Sequence, residues 1–254
     1  MEVESAMKMM LSGADIGLIG GADGPTAVFV ASYGFPWILP LVAVLITAIA
    51  FGLMYRAAKK KPHSVTVLPE NYREIYTVDL QKNKKMALLV NGLGIAVILA
   101  MIIPAVFLVP ISTLFSMEQG FFAYAMRFIA LIVGSVLYIV LHELTHAAVM
   151  RIYGAKKVRF GFTGMYAFAG SEQDYFDKSS YIQIALAPLL VWGLILGVIN
   201  LLVPLEWFWV VYFLQITNVS GAAGDLFVSV RFTKMPPDIL VKDTGVAMTV
   251  YSAK

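Results

Sequence analysis

Five apolar runs, at 27–55, 86–109, 121–150, 181–203 and 207–230, alternate with short stretches that hold nearly all of the chain's charge. Each run reaches the roughly 20 residues that a helix needs to cross a bilayer. Inside a bilayer every backbone polar group must be satisfied within the protein, so such an alternation restricts the chain to a helical bundle with short connections. Of the 254 residues, 59% are hydrophobic and 14% charged, against roughly 45–50% and 25% in ordinary soluble domains. That surplus excludes a large independent soluble domain and intrinsic disorder. The expected fold is an all-α polytopic membrane protein of about five transmembrane helices, with short β-hairpins on the cytoplasmic side.

Charge sets the orientation. With 56–85, 151–180 and 231–254 placed in the cytoplasm, all of the nineteen Lys and Arg residues except Lys8 and Arg127 lie inside, as the positive-inside rule requires. The N-terminus is then outside and the C-terminus inside. The net charge of +3 reflects these basic loops and points to no nucleic-acid partner. The start MEVESAMKMM is acidic and no short apolar core ends in a cleavage site, so the first run reads as an anchor. The Gly-rich segment 1–26 precedes it as an extracytoplasmic or re-entrant piece, because GGADGP at 20–25 breaks a helix. Residues 27–254 form the membrane domain. Within it, 65–80, 157–170 and 239–251 are rich in Val, Tyr, Phe and Thr around turn residues and read as hairpins.

Against this apolar background, His142-Glu143-Leu144-Thr145-His146 stands out near the inner end of the third run. On a helix the two imidazoles fall one turn apart on one face and can converge on a Zn²⁺ ion, with Glu143 beside it as a general base. The bland alternative is a polar interfacial patch, each His bonded to a carbonyl or a lipid headgroup. Ionisable residues inside a span are costly, which favours the metal. The chain has no cysteine, so further ligands must be His, Asp or Glu. His146 and His142 precede Arg151 by five and nine residues, about 8 and 14 Å along a helix. Asp225 precedes Arg231 by six, about 9 Å, and therefore meets them at one depth as a candidate third ligand. Pairing with an inner-leaflet Lys or Arg is its structural alternative. Ser220, Gly221 and Gly224 permit close helix packing beside it. Asn218 lies deeper on nearly the same face, where it would bond substrate backbone or a neighbouring helix.

HELTH on one span and NVSGAAGD on a later one resemble the intramembrane metalloproteases of the site-2 protease type, and more closely a bacterial family of zincin peptidases with HExxH in a membrane helix. The resemblance covers roughly 55–251 by layout. It implies His142, His146 and Asp225 as zinc ligands, Glu143 as catalytic base, and a multi-pass enzyme of the bacterial cell membrane. It further implies a membrane protein or peptide as substrate. Site-2 proteases carry their Asp before a Gly, whereas Asp225 follows Gly224 and precedes Leu226. In such proteases a strand beside the site pairs with unwound substrate; the 157–170 segment, probed at Phe162, is the candidate here. Separately, IGLIGGADGPT at 16–26 resembles a signature of the membrane β-subunit of sodium-pumping decarboxylases, which implies ion binding at Asp23. A membrane-entry segment, or a recognition or processing element, is the alternative for that segment.

Two function classes follow. One is a zinc-dependent endopeptidase acting on membrane-associated substrates near the cytoplasmic side. The other is a non-enzymatic ion-coupled transporter or metal-binding scaffold. His63 reads as a solvated loop residue, and Glu172, Asp174 and Asp177 as a wet acidic surface. Pro188 is expected to kink the fourth span and open a path for water.

Overall fold

Segments that separate the apolar runs pair with one another over long distances and build a sheet at one end of a helical bundle. The computed structural model describes residues 14–21, 24–32, 38–59, 63–164 and 166–253. It divides into two units, Met1–Val42 and Ala43–Lys254. In the first, β1 (Ala14–Gly21) and β2 (Gly24–Ser32) form an antiparallel hairpin with an irregularity at Ile19/Gly20. Val28 and Val30 suit an extended strand better than a helix. The run expected to span from 27 to 55 is therefore divided: helix α1 (Ile38–Ala58) begins only at Ile38, and its described apolar stretch Leu41–Arg56 is shorter than a span.

In the second unit, α2 (Lys84–Leu108), α3 (Gly120–Ile152) and α4 (Lys178–Leu202) are long and apolar enough to cross a membrane. Among the described residues these are the three such helices. The fifth apolar run is two helices, α5 (Leu205–Gly221) and α6 (Ala223–Thr233), of 17 and 11 residues. The break falls at Ala222 (φ −77°, ψ 9°), between Gly221 and Gly224, whose helix propensity is low. A Cβ on Gly94 of α2 would lie 3.3 Å from the Ser220 carbonyl oxygen and one on Gly224 would lie 3.9 Å from Val90. Small residues thus let α2 approach the α5–α6 junction.

The all-α expectation is corrected by the sheet. Strands β3 (Ser64–Val65), β4 (Arg73–Asp79), β7 (Tyr175–Asp177), β8 (Leu240–Asp243) and β9 (Ala247–Ser252) form a five-stranded sheet of order β3-β7-β8-β9-β4. Strands β5 (Arg159–Phe162) and β6 (Ala167–Gly170) form a separate antiparallel pair. The 157–170 and 239–251 segments do fold as hairpins, but 65–80 does not: β3 pairs with β7 and β4 with β9. Nonlocal pairing wins because it buries one sheet face. Phe176, Val241 and Val250 pack with Val149, Ile184 and Phe232 at the helix ends in one core. Burial at roughly 25 cal/mol per Å² of apolar surface outweighs the small extra cost of closing longer loops.

Two contacts tie this sheet end to the helices that carry the site. Asp177 caps α4, its Oδ1 accepting from the Ser180 N–H at 2.9 Å. Lys178 Nζ donates to the carbonyl oxygens of Thr233 (2.9 Å) and Met235 (2.7 Å), a cation at the C-terminus of α6 where the helix dipole favours it. A second core at the opposite end of the bundle gathers Ala105, Val109, Leu114, Trp209 and Val210.

Candidate metal centre

Tyr138, His142 and His146 follow one another at intervals of four on α3, so their side chains stack along one helix face. All three are buried. Asp225 sits in the first turn of α6, where free N–H groups and the positive end of the helix dipole gather. The Ala222 break is what creates that helix N-terminus beside α3. Asp225 Oδ2 lies 3.6 Å from His142 Nε2 and 3.7 Å from His146 Nε2, and the two Nε2 atoms are 3.2 Å apart. The three expected ligands are therefore brought together by two helices.

Hydrogen bonds on the far side of each ring determine which nitrogen faces that triangle. His146 Nδ1 lies 2.9 Å from the Ile184 carbonyl oxygen, which can only accept, so Nδ1 carries the proton and Nε2 a free lone pair. His142 is set through Asn218 and Tyr138. Asn218 Nδ2 donates to the Leu189 carbonyl oxygen (3.2 Å), which orients the amide. Its Oδ1 accepts from the Tyr138 hydroxyl at 2.9 Å. With its single proton committed there, the Tyr138 oxygen accepts from His142 Nδ1 at 2.8 Å, so His142 Nε2 is again a lone pair.

Two neutral imidazole lone pairs and a carboxylate oxygen thus point at one volume. No hydrogen bond can join the two Nε2 atoms in these tautomers; a cation between them satisfies both. Zinc fits the spacing: tetrahedral bonds of about 2.0–2.1 Å put ligand atoms about 3.3–3.4 Å apart, against the 3.2, 3.6 and 3.7 Å found here. The second partner on each His is the usual orienting arrangement for metal ligands.

Ile184 is available because of Pro188. A proline has no N–H, so the carbonyl four residues earlier loses its helical partner. Pro188, expected to kink the fourth span, lies inside the helix Lys178–Leu202 and delivers an acceptor to His146. Thr145 is held similarly, accepting from Trp192 Nε1 of α4 at 3.1 Å.

Glu143 is half-buried and faces a cavity of about 420 Å³, which His142, His146, Asp225 and Asp243 also line. The backbone N–H of Ala169 on β6 faces its carboxyl group. Strand register explains this. Thr163 N–H bonds the Tyr166 carbonyl oxygen, and alternation along the ladder then makes Phe160–Ala169 and Phe162–Ala167 the non-hydrogen-bonded pairs. Ala167 and Ala169 turn their N–H and C=O groups away from β5, toward the cavity they line. At Ser171 that edge is closed by a 2.7 Å bond to the Asp243 carbonyl oxygen.

Asp243 is buried, accepting from the Tyr181 hydroxyl (2.7 Å) and the Gly245 N–H (2.7 Å). Burial pushes its carboxyl above the usual carboxylate range, while those hydrogen bonds pull it back only in part.

Several expectations are narrowed or corrected. Of the two readings open for Asn218, the structure matches the neighbouring-helix one: it is fully buried with both ends of its amide engaged, and it orients Tyr138. Within the 157–170 segment, Phe162 on β5 is exposed and lines the cavity, and the strand edge that meets the site is that of β6. His63 is not solvated: its Nδ1 lies 2.8 Å from Ser180 Oγ and 3.1 Å from Asp177 Oδ2. Nor are the acidic residues one wet patch. Asp174 is buried on Ser171, Asp177 caps α4, and only Glu172 is at the surface, paired with Arg159. Asp23 lies outside the described residues. Sequence reasoning missed Tyr138, although its place four residues before His142 was a visible signal, and Ile184, which a proline in a span could have revealed. The parts played by Ala169 and Asp243 had no local signal.

Residues 135–240 match the model of a family described as "Putative zincin peptidase". The match takes in the three candidate ligands, Glu143, Tyr138, Pro188 and Asn218, and stops short of β9. No curated protein and no solved structure matches the chain.

Proposed function

We propose that this protein is a zinc-dependent endopeptidase embedded in the bacterial cell membrane, which hydrolyses peptide bonds of membrane-associated substrates. The carrying observation is the triangle of two imidazole lone pairs and a carboxylate oxygen, of a size that suits tetrahedral zinc, with a free carboxyl group one residue away. Likeness to the zincin family supports it over 135–240. His142, His146 and Asp225 would hold the ion. Zinc, when bound, acts as a Lewis acid toward a carbonyl oxygen and makes water more acidic.

The chain's own residues do the rest. Glu143 takes a proton from the water that attacks the scissile carbonyl carbon and delivers it to the nitrogen of the departing amine. Tyr138, Asn218 and the Ile184 carbonyl keep both imidazoles in the tautomer that leaves Nε2 free. The β6 edge at Ala167 and Ala169 offers N–H and C=O groups to an extended substrate. Basic residues cluster in the segments at the sheet end, so the positive-inside rule puts this end, and the site, on the cytoplasmic side.

A fluorogenic leucine-rich peptide with one membrane span, interrupted by Asn-Gly near its basic end, tests the reading on detergent-purified protein. Glu143→Gln is expected to retain one equivalent of zinc and to lose cleavage by about 10²–10⁴-fold, the usual contribution of a general base. A Glu143→Gln variant as active as the parent would sink the mechanism. Absence of bound zinc in the parent would instead turn the reading toward a non-enzymatic membrane protein.

A further inference from the structure

Helix α2 carries a single polar side chain between Lys85 and Val109, and that is Asn91. It is exposed, yet it lies well inside a span-length helix. A primary amide that meets hydrocarbon without a hydrogen-bond partner is costly, and polar residues kept inside spans are functional by default. The Asn91 side chain forms no hydrogen bond among the described residues. On α2, Val90 and Gly94 face the α5–α6 junction, Val90 against Gly224 and Gly94 against Ser220.

Where it sits makes the amide useful. Asn91 lines the same cavity as His142, Glu143 and Asp225. Val90 and Asn91 of α2, with Tyr138 and Ile139 of α3, form one side of that cavity. Asn91 and Ile139 line the cavity and both keep exposed surface at span depth, as an opening between these two helices requires. The β6 edge, with the backbone groups of Ala167 and Ala169 turned inward, also lines it. An extended peptide bonded along one edge to β6 has a second edge of N–H and C=O groups left to satisfy. A carboxamide offers one acceptor and two donors, the same pair of functions that a neighbouring strand offers.

Building on the peptidase reading, we propose that Asn91 is a substrate-binding residue. Its carboxamide pairs with the backbone of an unwound stretch of a membrane-spanning peptide that enters from the bilayer between α2 and α3 and lies against β6. Recognition of this kind is blind to side chains and selects for peptide that has lost its helical hydrogen bonds.

Asn91→Leu tests this with the same single-span peptide. Its KM is expected to rise about five- to tenfold with kcat nearly unchanged, the loss of about one hydrogen bond made in the bound state. Zinc content should stay at one equivalent, and the midpoint of thermal unfolding should stay level or rise, since an exposed amide has been replaced by an apolar side chain. A purely structural Asn91 would give the opposite pattern, a lower midpoint with KM unmoved. Replacing single backbone amides of the probe by esters sharpens the test. One ester position should weaken cleavage by the parent about fivefold and have no effect on Asn91→Leu. Unchanged KM, or ester effects identical in the two proteins, overturns the assignment while leaving the peptidase reading intact. If the zinc-loaded parent does not cut the probe at all, the peptidase reading fails and Asn91 loses its role with it.

Discussion

Helix α3 buries ionisable side chains near both of its ends, and the two ends treat them in opposite ways. Toward the start, Arg127 is fully buried. Its Nε donates to the Leu114 carbonyl oxygen at 3.1 Å and its Nη2 to that of Ser116. These donors turn back onto the short 3₁₀ segment Ile111–Phe115 and the residue that caps it, so the guanidinium staples a turn to a helix. Toward the other end, His142 and His146 spend their Nδ1 protons on the surrounding protein and leave Nε2 facing a shared volume with Asp225. Burial of an ionisable side chain inside a span-length helix is common to both. Arg127 leaves only Nη1 without a partner, whereas the site end leaves several atoms open toward one volume; what separates a brace from a site is whether unused polar atoms converge on one place.

The sharpest way to break this comparison is to remove one group from each end. His146→Ala is expected to lose bound zinc and, with it, all measurable cleavage; elemental analysis and the fluorogenic assay check both. Arg127→Leu should keep one equivalent of zinc. It leaves two carbonyls without donors and should lower stability by on the order of 2 kcal/mol, read from thermal unfolding in detergent. Zinc loss in Arg127→Leu, or a zinc-bound His146→Ala, would erase the distinction between the two ends.

Smaller changes probe how the site end keeps its lone pairs free. Tyr138→Phe removes the acceptor that orients His142 and should weaken zinc affinity by about 10–100-fold in chelator competition, the usual effect of a lost orienting partner. Pro188→Ala should act more weakly, at the lower end of that range. It restores an N–H that competes with His146 for the Ile184 carbonyl, while the imidazole itself stays in place. Equal zinc affinity in parent and Tyr138→Phe would mean that packing alone positions the ring.

These orienting groups also mark the limit of what could be read from the chain. HExxH announces itself through helical spacing, and Asp225 was reachable because depth along a span can be counted from the basic residues that end it. The same counting failed for the fold. Apolar length does not distinguish one helix from two that meet at Ala222, nor a helix from the β2 strand that opens the first run. Strand composition at 65–80 was legible, but its partners β7 and β9 come from distant segments, and a hairpin was the nearest local answer. Asn218 shows the limit most clearly. Its type and place left substrate backbone and a neighbouring helix both open, and only the positions of Tyr138 and Leu189 reveal that both ends are engaged inside the protein.

Asp243 offers the finest test of the comparison, because it stands between the two patterns. Like Arg127, it is buried with its oxygens bonded to the protein, here to Tyr181 and Gly245; like the histidines, it lines the cavity. Its carboxyl is raised above the ordinary carboxylate range, chiefly by burial. The folded protein therefore binds that proton more tightly than the unfolded chain. The stability contributed by the protonated form is complete below the unfolded value, about 3.9, and declines as pH rises from there through the folded value. A carboxamide in its place cannot ionise, so Asp243→Asn should match the parent in acid and become the more stable of the two as pH rises through that window. Thermal midpoints of both proteins across a pH series measure the difference, the smallest of the effects predicted. A parent that gains on Asp243→Asn with rising pH would show that the two hydrogen bonds outweigh burial, and would place Asp243 with Arg127 among the braces.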